Sequence, residues 1–299
     1  MIDKKALTWF LVITVAISWP LFFMPLMQKN IDPINGQIIG QSLWAVAMWG
    51  PGIAAILTTL IVQKKPFRSL NLNRLGPKRY YLWALLLPVV LTVAGGLFTV
   101  VFGIAKLDPE LSMMSSALAA SGYSMPVWVV ITLDLAFALL LAPFINMIFA
   151  LGEELGWRGF LLSNLMPLGQ WKAILISGII WGFWHAPAVA QGLNYPGYPV
   201  LGIFMMIIFC VLLGTILSWL VLNTKSPWVA ALAHGAVNAI AGLPVLFFKP
   251  GFNMAMGGTL ATPPAWLGMA LFIGWLILTK RLPVKVAEEI KPEGQGVAV

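Results

Sequence analysis

Long apolar runs separated by short polar stretches dominate this chain. A helix needs about 20 consecutive, mostly apolar residues to cross a membrane. Segments that approach this length lie roughly at 7–27, 38–62, 80–105, 126–151, 172–190, 198–222, 228–247 and 264–280. Helices that are apolar on all sides either cross a membrane or lie buried in a large core. The pattern therefore predicts an all-α, polytopic membrane helix bundle with about eight transmembrane helices.

Composition predicts the same class of protein. Of the 299 residues, 60% are hydrophobic and 9% are charged, whereas soluble domains average about 25% charged residues. The net charge of +8 does not indicate a nucleic-acid partner, because the basic residues lie between apolar runs and at the chain ends. We expect a single membrane domain over residues 1–299 that crosses the lipid bilayer of the cell membrane several times.

The positions of lysine and arginine predict the orientation of the helices. Of the 18 basic residues, all but Lys29, Lys106 and Lys249 fall on one side of the predicted spans. Cytoplasmic loops are enriched in lysine and arginine, so both termini are expected to be cytoplasmic. The apolar run after Lys5 is long and shows no clear cleavage site, so we interpret it as a retained first helix. The tail over 283–299 is expected to be disordered.

A helical hairpin is expected around the middle of the chain. Pro143 lies inside the fourth apolar run and should bend or break its helix. Helical sequence then continues to the first clear turn, at 167–169. Glu153 and His185 are about equally far from this turn along the chain. At 1.5 Å per residue, they should lie at nearly equal depth, roughly 23 and 26 Å from it.

The first chemical motif is the E-E-x-x-x-R sequence of Glu153, Glu154 and Arg158. Charge at membrane depth is costly and indicates function by default. Glu154 and Arg158 are four residues apart and can pair on one helix face. Glu153 points about 100° away and can face a cavity. A structural ion pair that locks two helices is the alternative, but it leaves Glu153 without a cation.

Two further motifs contain both histidines of the chain. One is the aromatic run from Trp181 to His185, and the other is His234-Gly-Ala-Val-Asn238. Each alone is also typical of helix packing. In the second of them, for example, the small residues Gly235 and Ala236 let a neighbouring helix approach. Together with a carboxylate base, histidine and asparagine donors are what a hydrolase needs. A glutamate and two histidines also form a familiar zinc set, although H-E-x-x-H is absent.

The three motifs resemble those of the CAAX protease and bacteriocin-processing family, which includes the type II prenyl-protein endopeptidase. The family pattern is E-E-x-x-x-R, then F-x-x-x-H, then H-x-x-x-N, and Trp181 stands here where the pattern prefers Phe. The resemblance covers roughly residues 125–245. It implies a membrane-embedded endopeptidase with an eight-helix fold, in which these residues would form the catalytic site: Glu153 and His185 to activate water, His234 and Asn238 as the oxyanion hole, and Glu154 and Arg158 as supporting residues.

The resemblance also implies a class of substrate. A peptide or protein, lipidated or membrane-associated, would be cut near the cytoplasmic leaflet. Four aromatic residues are candidates for an apolar substrate pocket, with ordinary packing as the alternative: Trp157, Trp181, Phe183 and Trp184. No cofactor is expected, and zinc stays an open alternative. Two other functions stay open, a non-enzymatic membrane immunity or scaffold protein and a proton-coupled transporter, although no internal repeat supports the latter.

Overall fold

The computed structural model describes residues 2–24, 33–122 and 124–285. Its α-helices are α1 (Lys4–Phe23), α2 (Pro33–Ala47), α3 (Trp49–Leu57), α4 (Arg79–Val101), α5 (Ser112–Ser121), α6 (Val127–Leu140), α7 (Ala142–Glu154), α8 (Ser163–Leu165), α9 (Gln170–Trp184), α10 (Ala186–Ala190), α11 (Leu201–Thr224), α12 (Pro227–Ile240) and α13 (Pro263–Leu278). Within these ranges the extended structure is limited to an isolated bridge between Leu107 and Phe248. The prediction of an all-α fold is confirmed.

Several of the described helices can cross a membrane. Five helical segments are long and apolar enough to do so: Lys4–Phe23, Ile38–Val62, Arg79–Val101, Leu201–Thr224 and Pro227–Phe247. The pair Val127–Leu140 and Ala142–Leu168, which is bent by 46°, makes a sixth candidate. Helices α9 and α13 lie in the two other predicted spans, but they have only 15 and 16 residues. The polytopic membrane class is confirmed, whereas eight crossings and cytoplasmic termini stay predictions.

The bend predicted at Pro143 is present. Helix α6 ends at Leu140, and Pro143 lies in the first turn of α7, where its missing N–H group leaves no helical hydrogen bond unmade. Helix α7 then continues directly into a π-helix over Leu155–Leu162. Such i→i+5 segments are rare and often occur at functional sites. The first motif therefore crosses from an α-helix into a π-helix.

The predicted hairpin is also confirmed. A 3₁₀ turn over Met166–Leu168 ends at Gly169, whose φ of +90° is a conformation that favours glycine. Helix α9 then returns alongside the first arm, and the Trp181 indole donates a hydrogen bond to Glu153. The turn thus brings the first and second motifs into contact.

Close packing of α12 on α7 brings the third motif to the first two. A Cβ atom added to Gly235 would lie 2.5 Å from the carbonyl oxygen of Pro143 and 2.6 Å from the amide nitrogen of Met147. Only a residue without a side chain permits this backbone approach. The sequence prediction that Gly235 lets another helix come close is confirmed, and His234 consequently lies beside the glutamate pair.

We expect Gly235→Ala to lower the free energy of unfolding by about 1–3 kcal/mol, since the added methyl group would push α7 and α12 apart. Gly274→Ala in α13 is the matched control, because no atom lies within 4 Å of a Cβ at that position. Unfolding in detergent, followed by circular dichroism, measures both variants. Equal stabilities would show that the α7–α12 contact can relax without cost.

The structure corrects one step of the charge count. Arg158 counts there as a cytoplasmic loop residue, but its side chain is 1% exposed within the π-helix. When Arg158 is left out of the count, the excess of basic residues stays on the same side, so the predicted orientation is unchanged. Lys29 and most of the tail predicted to be disordered, from residue 286 onward, lie outside the described residues.

Candidate active site

The four residues predicted to be catalytic line one cavity of about 410 Å³. Glu153, His185 and His234 are 2%, 8% and 5% exposed, whereas Asn238 is an exposed residue. The helices α1, α2, α7, α9, α11 and α12 all contribute to the lining. The full set is Phe22, Gln41, Trp44, Ala45, Met48, Glu153, Trp181, Trp184, His185, Leu193, Asn194, Met206, Phe209, Leu213, His234, Val237 and Asn238. A carboxylate, two imidazoles and an amide thus surround one space within an apolar bundle.

Glu153 is held through one of its two carboxylate oxygens. Its Oε2 atom accepts hydrogen bonds from Trp157 Nε1, at 3.1 Å, and from Trp181 Nε1. Among the described residues, no protein donor contacts Oε1. Glu153 lines the cavity, so Oε1 is the oxygen available to a molecule inside it.

His185 lies at a break between two helices. It follows the last residue of α9, and Pro187 sits in the first turn of α10. The Nδ1 atom lies 2.9 Å from the carbonyl oxygen of Trp181. A carbonyl oxygen can only accept, so Nδ1 carries the proton and Nε2 is the basic nitrogen of the neutral ring. Cys210 Sγ is 3.9 Å from Nδ1.

Glu154 joins the first motif to the third. Its Oε1 atom lies 3.0 Å from Arg158 Nη1 and 2.9 Å from His234 Nδ1. The pairing of Glu154 with Arg158 is confirmed, whereas no motif or spacing predicts the contact with His234. Because a carboxylate oxygen only accepts hydrogen bonds, Nδ1 is the donor in this contact, which fixes the orientation of the His234 ring.

Arg158 is enclosed by an aromatic ring and a glycine. Its guanidinium carbon lies 4.0 Å from the centre of the Trp181 ring, a cation–π contact that is strongest when water is excluded. A Cβ atom on Gly214 of α11 would lie 2.9 Å from Arg158 Nη2. The missing side chain at Gly214 therefore makes room for a buried guanidinium between α9 and α11.

Asn238 lies one turn beyond His234 and borders two spaces. It lines the 410 Å³ cavity and also a second cavity of about 470 Å³, together with Asp134 and Asn146. In the described part of the chain, neither the side chain of Asn238 nor that of Asp134 has a hydrogen-bond partner in the protein. The Asn238 amide is therefore available to a molecule in the cavity.

Comparison with known proteins finds a matching family model and a similar relative. Residues 128–240 match the family model described as Rce1-like, type II CAAX prenyl endopeptidase Rce1-like. A stretch of 105 residues is 31% identical to the CAAX prenyl protease 2 of Methanococcus maripaludis. The predicted resemblance to the CAAX protease family is confirmed. The aligned stretch covers 32% of this chain and 37% of the length of that relative.

Two of the four aromatic residues proposed for a substrate pocket line this cavity, and the other two do not. Trp181 and Trp184 line the cavity. Trp157 does not, because it lies buried behind Glu153. Phe183 does not either, because it is two residues from both Trp181 and His185 and so projects from the other side of α9. It is 52% exposed there and lies 6.0 Å from the Trp19 ring, measured between centroids.

The zinc alternative can be tested on the donor set of this cavity. Within the described ranges, no group of three or more His, Cys, Asp or Glu side chains could hold a metal ion. Each histidine contacts a protein acceptor through Nδ1, which leaves Nε2 free to act either as a base or donor or as a metal ligand. The expectation that no cofactor is needed stays a prediction, with zinc as the alternative.

One wall of the cavity lies outside all three motifs. It comes from α1 and α2 and from the residue after α2, through Phe22, Gln41, Trp44 and Met48. These residues lie in ordinary apolar runs, so the motifs do not predict their place at the site. Gln41 is a polar residue inside a predicted span, and it is the one signal in the sequence that could have pointed to this wall.

Proposed function

We propose that this protein is an intramembrane endopeptidase that hydrolyses a peptide bond near the cytoplasmic leaflet of the cell membrane. The observation that carries the proposal is the shared cavity of Glu153, His185, His234 and Asn238. These residues come from three different helices or their ends, and all lie within the segment that matches the CAAX protease family.

The first chemical step uses Glu153 and His185 on a water molecule. Glu153 Oε1 takes a proton from the water, while the basic Nε2 of His185 orients it. The hydroxide attacks the carbonyl carbon of the scissile bond, and the carbonyl oxygen becomes an oxyanion. A general base of this kind contributes about 10²–10⁴-fold to a rate.

The second step stabilises the oxyanion and completes the cleavage. The His234 Nε2–H group and the Asn238 amide donate hydrogen bonds to the oxyanion. Glu154 positions His234 for this role: in the proposed step Nδ1–H donates to Glu154 Oε1 and Nε2–H donates to the oxyanion. Glu153 then returns its proton to the leaving nitrogen as the carbon–nitrogen bond breaks. The products are a carboxylic acid, which loses its proton to solvent, and an amine, and Glu153 is again a carboxylate.

The substrate we propose is a peptide or protein with a lipidated or membrane-associated segment. Large apolar side chains around the cavity suit such a segment: Phe22, Trp44, Trp184, Met206 and Phe209. The relative in Methanococcus maripaludis is named as a prenyl protease. A prenyl group on a cysteine near the C-terminus is therefore the first lipid modification to test.

The assay uses the full chain in lipid vesicles with paired quenched fluorescent peptides. Each pair has one sequence, with the cysteine fourth from the end either farnesylated or unmodified, and the panel varies the last three residues. We expect cleavage of the farnesylated member of at least one pair. If folded protein cleaves no peptide of the panel, the proposed activity on this substrate class is wrong.

We expect Asn238→Ala to lower kcat by about 100-fold or more, as for other oxyanion donors. Thermal stability should change little, because the Asn238 side chain is exposed. Asn223→Ala is the matched control in a neighbouring helix, since Asn223 bonds to Tyr80 and lies outside the cavity. Equal rates for Asn238→Ala and the wild type would show that the Asn238 amide does not stabilise the oxyanion.

A further inference from the structure

We propose that Trp157 and Trp181 are positioning residues which hold Glu153 by Oε2 and so reserve Oε1 for the attacking water. This inference rests on the proposed function for its catalytic part. It assigns the two indoles a role different from lining a substrate pocket. The supporting geometry is the convergence of two N–H donors, from separate elements of the fold, on one carboxylate oxygen.

The indole N–H groups suit this task chemically. An indole nitrogen can donate a hydrogen bond but cannot accept one or take up a proton. Both tryptophans are 1% exposed, so the two N–H groups are buried together with the carboxylate oxygen that accepts from them. Two donors on Oε2 occupy the directions in which that oxygen best accepts hydrogen bonds. The carboxylate is therefore oriented, and its chemistry is confined to Oε1.

Trp181 is itself fixed on several sides. Its ring lies under the Arg158 guanidinium and meets the His234 ring edge-on at 5.4 Å between centroids. Its backbone carbonyl accepts a hydrogen bond from His185 Nδ1. One residue thus contacts Glu153, Arg158, His185 and His234, so a shift of Trp181 would disturb each of them.

Trp157 is fixed from the opposite side. Its ring meets Phe10 of α1 and Trp184 of α9 edge-on, each at 5.7 Å between centroids. It lies in the π-helix, four residues after Glu153. Rigid packing of this kind is what keeps a reactive group within a fraction of an ångström of its working position. The two indoles therefore hold the carboxylate from its own helical arm and from the returning arm.

The tryptophan at 181 gives this chain a property that its family pattern lacks. A phenylalanine at this position could still pack under Arg158 and beside His234, but it has no N–H group to donate. Trp181→Phe therefore removes the hydrogen bond while it keeps an aromatic ring. This makes the substitution a test of positioning rather than of packing.

The test compares Trp157→Phe and Trp181→Phe with Trp219→Phe. Trp219 is also buried, 2% exposed, but it lies in an aromatic cluster with Tyr80, Trp83 and Phe272. For each positioning variant we expect kcat on the farnesylated peptide to fall about 10-fold or more, as for a lost hydrogen bond to a charged group. KM should stay within about two-fold, and Trp219→Phe should retain wild-type kcat.

A second readout does not depend on peptidase activity. Infrared spectra of protein with ¹³C-labelled glutamate, with the spectrum of Glu153→Gln subtracted, report the stretching band of the Glu153 carboxyl group. We expect this band to shift in Trp157→Phe and Trp181→Phe, but not in Trp219→Phe. An unchanged band, or an unchanged kcat on a cleaved peptide, would overturn the positioning role. A shifted band in a protein that cleaves no peptide would support the positioning role and refute the proposed function.

Discussion

Glu153→Gln is expected to lower the rate of peptide cleavage by about 1000-fold or more. The amide keeps the size of the side chain but cannot take a proton from water, and general bases contribute about 10²–10⁴-fold. The fold should survive, because an uncharged group replaces a carboxylate that is 2% exposed. The comparison of kcat for the two proteins in vesicles, at equal folded concentration, measures the effect.

Asp134→Asn is the control for Glu153→Gln. Asp134 is another carboxylate within a predicted span, but it lines only the neighbouring 470 Å³ cavity. We expect it to keep wild-type activity. The Glu153 variant also separates the competing functions, because an immunity or scaffold protein would keep its function without this carboxylate. Proton-driven flux in vesicles that carry the wild type would instead favour a transporter.

Arg158→Met is expected to destabilise the fold strongly. Glu154 is fully buried, its Oε1 atom binds Arg158 and His234, and its Oε2 atom has no protein partner in the described residues. Removing the guanidinium leaves that carboxylate with the imidazole alone. Breaking one partner from a buried ion pair typically costs about 3–5 kcal/mol. Methionine fills much of the volume of the arginine side chain. The loss of stability therefore measures the missing positive charge rather than the cost of a cavity.

Unfolding in detergent measures this loss, and Arg281→Met is the matched control. Arg281 is exposed and lies over the Trp275 ring, 4.5 Å from its centre, so its loss should cost about 0.5 kcal/mol or less. Adding Glu154→Gln to Arg158→Met should restore part of the stability, since the uncompensated charge is removed. If Arg158→Met unfolds like the wild type, the contact between Arg158 and Glu154 does not stabilise the fold.

Spacing along the chain was enough to predict that the first two motifs meet. The hairpin argument needed only the rise of a helix and the position of a turn, and it brought Glu153 to the segment that ends in His185. The bend followed from the ring of Pro143, which cannot continue a helix. The approach of α12 followed from Gly235, because the size of a side chain sets how close two helices can come.

Other features depend on contacts that spacing does not encode. The π-helix after Glu154 widens the turn locally, and no residue type in that stretch requires it. The bond from His234 to Glu154 joins residues 80 positions apart. Phe183 was wrongly predicted to line the pocket because its neighbours in sequence do, although alternate positions on a helix face different ways. The number of crossings stays a prediction, because α9 and α13 are shorter than a bilayer requires.

The most direct test of the proposed mechanism is a cleavage reaction run in H₂¹⁸O. The peptide that is cleaved fastest is incubated with wild-type protein and, separately, with Glu153→Gln. The masses of the products are then measured by mass spectrometry. We predict one ¹⁸O atom in the new carboxyl group of the wild-type product and, in the same time, no detectable labelled product from the variant. Equal rates of label incorporation by the two proteins would contradict the role of Glu153 as the base that activates water.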